Sequence, residues 1–85
     1  MGNKSITKDE LYLVKLMELA QKMGDPYLEV DRYIVGKAMG QNDKSVDNIV
    51  RMLAQTNFIK KGEGDAIVLT RQGEIYALSL KEHAK

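Results

Sequence analysis

The apolar residues of this chain change their spacing twice between Val35 and Ala77, and each change is marked by the residue type a chain reversal needs. Val46, Ile49, Val50 and Leu53 recur at intervals that gather side chains on one face of an α-helix, with Met52 at the margin. Ile59, Ile67 and Leu69 then share one phase on either side of Gly62-Glu63-Gly64-Asp65, a glycine-bearing loop of the kind that closes a hairpin. Lys60 and Val68 take the opposite phase. Thr70 is placed to cap a further helix from Arg71, with Ile75, Leu78 and Tyr76 turned inward. Few small folds run helix, tight turn, helix, hairpin, helix in this order.

The preceding residues supply the layer against which these elements pack. Thr7-Lys8-Asp9-Glu10 reads as a capping box, with Ile6 and Leu11 where a hydrophobic staple would sit. Tyr12, Leu13, Leu16, Leu19, Ala20 and Met23 continue as one broad helical stripe. Val14 lies off that stripe and Met17 at its edge, to pack under a neighbouring helix or to join a dimer seam. Gly24 ends the helix in a left-handed conformation and Pro26 prevents its resumption. Tyr27 to Val30 alternates and is short enough for a single edge strand, and Asp31 can cap a helix from Arg32 to Met39. Gly36 within that helix costs about 1 kcal/mol relative to alanine, so a second helix is expected to approach closely there. Gly40 closes the helix, Asn42 or Asp43 caps the next from Lys44 to Thr56, and Asn57 suits the left-handed exit.

Composition excludes more than it selects. Eighty-five residues make a single domain, 1–85, with residues 1–6 and 83–85 expected to fray. Without cysteine there is no disulfide or thiolate metal site, which suits a cytoplasmic location, and no apolar run reaches the length of a membrane span. Gly2 does not begin a myristoylation signal, because Ile6 stands where Ser or Thr is required. Ser5, Ser45 and Ser79 have only His83 to pair with, and Gly62-Glu63-Gly64 lacks the lysine of a phosphate loop. Carboxylate pairs such as Asp9-Glu10 sit at helix starts, and the four tyrosines are spread over different elements. The reading is therefore of a non-enzyme without cofactor or metal.

Net charge is only +1. Lys44 and Arg51 balance Asp43 and Asp47 over 41–57, and Lys60, Lys61 and Arg71 exceed Glu63 and Asp65 by one over 58–73. Any attraction for nucleic acid must come from the placement of a few side chains rather than from a strong field.

Val35-Gly36-Lys37-Ala38-Met39-Gly40, then Ser45-Val46 and Ile49-Val50-Arg51-Met52-Leu53, resemble the helix-turn-helix of MarR-like and DtxR-like winged-helix regulators. Phe58-Ile59, Ile67-Val68-Leu69-Thr70-Arg71-Gln72-Gly73 and Ala77 resemble their wing and the helix start that follows it. The resemblance spans roughly residues 10 to 80. It implies an α+β, mainly α fold: a winged helix-turn-helix with a three-helix core, a two-stranded antiparallel β wing and a C-terminal helix. It also implies a small transcriptional regulator that places helix 44–56 in the major groove of duplex DNA. On that reading Asn42, Lys44, Ser45, Asp47, Asn48 and Arg51 turn toward the groove, and Lys60 and Lys61 lie along the wing beside the adjacent backbone. Asn48 would read an adenine edge, Arg51 a guanine or a phosphate, and Lys44 and Ser45 phosphates. A homodimer on a two-part site is expected, with the exposed sides of the first and last helices, Val14 and Leu80 included, as its seam. The near-neutral surface and the acidic tip Glu63-Gly64-Asp65 motivate a second expectation: a protein-interaction module, an adaptor or assembly subunit without DNA binding.

Overall fold

Thr7 opens the first helix by exchanging two hydrogen bonds with Glu10: the Glu10 N–H donates to Thr7 Oγ1 at 3.2 Å and the Thr7 N–H to Glu10 Oε1 at 3.0 Å. From this capping box the computed structural model, which describes residues 6–83 without the side chain of His83, continues as a mainly helical α+β fold. What was expected of residues 1–5 and 84–85, and of the His83 side chain, lies outside the described residues. The elements are α1 (Lys8–Lys22), β1 (Val30–Asp31), α2 (Arg32–Ala38), α3 (Asp43–Gln55), β2 (Ile59–Lys61), β3 (Ala66–Leu69) and α4 (Arg71–His83).

Helix α1 is the centre of the molecule, packing against α2, α3, α4 and the sheet. That position explains why more of its circumference is buried than one stripe requires. Val14 and Met17 are both inside the core with Tyr12, Leu13, Leu16 and Ala20. Met23, expected on the stripe, is the C-cap and projects into solvent beyond the last turn.

Helix α2 is capped by Asp31, whose carboxylate accepts the Tyr33 N–H at 2.8 Å. It crosses α3 at Gly36. A β-carbon on Gly36 would stand 2.3 Å from Val46 Cγ2, so hydrogen is the only side chain that lets the two helices meet at this distance. The close approach buries Val35 and Val46 completely and offsets the poor helix propensity of glycine. After Gly40, at φ +74°, Asn42 caps α3 by accepting the Ser45 N–H at 2.8 Å. Val46, Ile49, Val50 and Leu53 face the core from α3 as their spacing predicts. Asn57 leaves the helix at φ +66°, the left-handed turn for which its side chain is suited.

The hairpin does not stand alone. Strand order is β1-β3-β2, all antiparallel, with Ile59 opposite Leu69, Lys61 opposite Ile67 and Val30 opposite Ile67 on the other side. A two-stranded wing was expected; β1 adds a third strand because buried Val30 extends the apolar layer of Ile67 and Leu69. The strand is shorter than the Tyr27 to Val30 alternation suggests. Asp25 captures the chain first, its carboxylate accepting the Tyr27 N–H at 2.8 Å and its carbonyl the Leu28 N–H at 3.2 Å, which makes a turn of these residues.

The rotation of α4 also departs from expectation. Gly73 and Ala77 face inward, Tyr76 and Leu80 are half-buried, and Ile75 and Leu78 point to solvent. The cause is Gly73, which sits directly on the Phe58 carbonyl and sets the helix phase by close approach rather than by bulk. Tyr76 then stacks on Phe58, ring centroids 4.8 Å apart.

Candidate nucleic-acid interface

With Val46, Ile49, Val50 and Leu53 inside, the opposite half of α3 is left to solvent. Lys44, Asn48, Arg51 and Gln55 are exposed, and their spacings of four, three and four residues put them within about 60° of arc on the helix. They form a row about 16 Å long at the helical rise. Among the described residues none of the four makes a side-chain hydrogen bond or ion pair. Gln55 was not singled out from sequence, although the same spacing, continued one turn, reaches it. Met52, 53% exposed, borders the row.

The other side chains expected on this face are engaged within the molecule. The Asn42 side-chain oxygen Oδ1 is the α3 cap, and Ser45 Oγ donates to Gln41 Oε1 at 2.8 Å. The Asp47 carboxylate is turned toward α2, where Tyr33 Oη donates to it at 2.8 Å and Arg32 Nη1 stands 3.6 Å away. Of the six α3-side positions, therefore, Lys44, Asn48 and Arg51 are presented outward, while Asn42, Ser45 and Asp47 hold the turn and the helix in place.

Arg32 connects this face to the hairpin. Its backbone N–H and its Nε–H both donate to the Asp65 carbonyl, each at 3.1 Å, while its guanidinium lies beside Asp47. Segment sums along the chain miss this arrangement, because a cation from α2 offsets a carboxylate on α3. In the sequence Arg32 stands between the Asp31 cap and Tyr33, and nothing there signals its role. On the hairpin, Lys60 and Lys61 are exposed along β2, an outer strand of the sheet, where charge also discourages pairing with another strand. Glu63, Gly64 and Asp65 form the tip, and Gly64 turns at φ +59°.

No protein-family model, curated protein or solved structure matches this chain. Among the described residues no three His, Asp or Glu side chains converge as metal ligands, and no helix is long and apolar enough to cross a membrane. An open groove of about 570 Å³ between α1 and Ala38 is lined by Lys15, Glu18 and Lys22 and gathers no catalytic set.

The fold raises the hydroxyls of all four tyrosines. The hydrogen bond that Tyr33 donates to Asp47, aided by desolvation, pushes its hydroxyl up to about 12. Burial raises Tyr12, whose hydroxyl donates to the Arg32 carbonyl at 2.7 Å. Hydrogen bonds to Glu74 and Glu10 raise Tyr27 and Tyr76 above their ordinary value. All four shifts have the same sign. The unfolded chain releases these protons near pH 10 while the native state retains them, so stability is full below that pH and falls as pH rises toward and beyond 12. In an alkaline titration, tyrosinate absorbance is expected to lag that of the denatured chain and to rise together with loss of helical circular dichroism. Half-ionised tyrosine at pH 10 with the fold intact would contradict these contacts.

Proposed function

We propose that this domain is a winged helix-turn-helix that binds duplex DNA in transcriptional control, with α3 entering the major groove and the β2–β3 hairpin serving as the wing. The observation that carries the reading is the row Lys44, Asn48, Arg51 and Gln55 on the open side of a helix whose other side is buried. A helix fits the roughly 12 Å width of the major groove, and this one offers it the right donors. Asn48 and Gln55 can each make paired hydrogen bonds to an adenine edge, and Arg51 can do so to guanine. Lys44 lies in the first turn of α3, where the helix terminus assists a phosphate contact, and Lys60 and Lys61 suit the neighbouring backbone. The engagement of Asp47 by Tyr33 and Arg32 supports this reading, since it partly offsets a carboxylate whose side chain stays 47% exposed beside the row.

The test is selection of bound duplexes from a random pool, followed by affinity measurements on the selected sequence from about 50 to 200 mM salt. Lys44, Lys60 and Lys61 at phosphates, with Arg51 as a fourth where it takes a phosphate instead of guanine, give an expected log–log slope of about −3 to −4 per protomer. A flat salt response, or a pool that never enriches, would sink the proposal. A second reading, a protein-binding module, is favoured by exposed Met52 beside the row and by the acidic tip. It predicts the flat response together with a protein complex that survives nuclease treatment.

A further inference from the structure

The outward side of α4 carries Arg71, Ile75, Leu78 and Glu82, all exposed, with Ile75 at 59% and Leu78 at 46%. Val14 and Leu80, expected in a dimer seam, are not on it: Val14 is in the core and Leu80 is half-buried against it. The four outward residues are separated by four, three and four positions, the interval at which two helices interlock along a straight seam. Two apolar side chains occupy the middle of that seam and a cation and a carboxylate occupy its ends.

We propose that this face is a self-association surface on which a second copy of the chain lays its own α4, antiparallel, across a two-fold axis. The order of charges selects the occupant. When one helix is turned end for end about a point between residues 76 and 77, Ile75 meets Leu78 of the second copy and Arg71 meets its Glu82. The symmetry repeats each pair, as an isologous contact requires. Along one flank Glu74 comes opposite Lys81 of the second copy, which within its own chain pairs with Glu18 at 3.3 Å, and along the other Gln72 comes opposite Ser79, so no two α4 residues of like charge are opposed. A parallel arrangement would instead set Arg71 against Arg71 and Glu82 against Glu82. Within one chain neither Arg71 nor Glu82 makes an ion pair among the described residues, which leaves both available to the pairing. Tyr27, 40% exposed and hydrogen-bonded to Glu74, adds apolar surface on that flank. A seam of three helical turns is at the small end of specific interfaces, under about 1,200 Å², so the association is weak and concentration-dependent. None of the α3 row takes part, and the proposal stands whether or not DNA is the ligand.

Analytical ultracentrifugation of the full chain without nucleic acid, from about 1 µM to 1 mM, tests it over the range a weak contact requires. A reversible monomer–dimer equilibrium is expected. Leu78→Gln should raise the dissociation constant about tenfold or more, since it removes a buried apolar contact twice per dimer. Arg71→Glu and Glu82→Lys should each weaken association, and the double variant should restore it. Both substitutions place charge favourably for the dipole of α4, so weakening by either does not arise from loss of the helix. A thermal melt of each variant at monomeric concentration checks the fold. A chain that stays monomeric, a dimer indifferent to these three substitutions, or a double variant no tighter than the singles overturns the proposal.

Discussion

Gly73→Ala is expected to remove more than half of the stability of the native state. A β-carbon at this position would lie 2.0 Å from the Phe58 carbonyl oxygen and 2.9 Å from its carbon. Both atoms are backbone, so no rotamer change relieves the overlap. The surroundings resist movement as well. The Phe58 carbonyl accepts the Thr70 N–H at 3.1 Å, Thr70 Oγ1 donates to the Asn57 carbonyl at 2.7 Å, and Gly73 donates its N–H to that same hydroxyl at 2.9 Å. Displacing α4 would break these bonds and the Phe58–Tyr76 stack together. Overpacking against backbone costs on the order of 3 kcal/mol or more, against a total near the low end of roughly 5–15 kcal/mol for a domain this small. Thermal unfolding followed by circular dichroism should show a midpoint lowered by roughly 12–24 °C, or no transition at all. Gln72→Ala, on the exposed side of the same turn, serves as the control. An unchanged midpoint for Gly73→Ala would mean that α4 does not sit on Phe58 as described.

The second large effect concerns binding. Lys44→Glu combined with Arg51→Glu should reduce affinity for the selected duplex by about 100-fold or more, if each cation supplies 1–3 kcal/mol at a phosphate or a base. The salt slope should fall by about 2, because two fewer counterions are released. Both side chains are exposed and lack internal partners among the described residues, so the melting midpoint should hardly move. Retention of binding with an unaltered slope would remove α3 from the interface.

What the sequence makes legible here is governed by how local each cause is. The capping box at Thr7, the Asp31 cap, the turn at Gly40 and the left-handed exit at Asn57 are each determined within four residues, and each is found where the residue types put it. The phase of α3 is legible because Val46, Ile49, Val50 and Leu53 leave only one apolar side. Helix α4 is ambiguous by the same criterion. Ile75 and Leu78 offer one face and Gly73 and Ala77 another, and the choice depends on a backbone approach from Phe58, fifteen positions away. Burial of Val14 and Met17 likewise depends on α1 being surrounded, which follows from topology. On the α3 face, exposure follows from periodicity, but the turning away of Asp47 depends on two residues of α2 that nothing in the local pattern designates.

The double hold of Arg32 on the Asp65 carbonyl, while its guanidinium rests beside Asp47, has a mechanical consequence. Loop tip, strand edge and helix are tied together at a single residue, through its backbone and its side chain, so their relative placement is set before any partner arrives. Under the proposed reading, a duplex meeting that face would have less ordering left to impose, and more of each contact would be retained as net affinity.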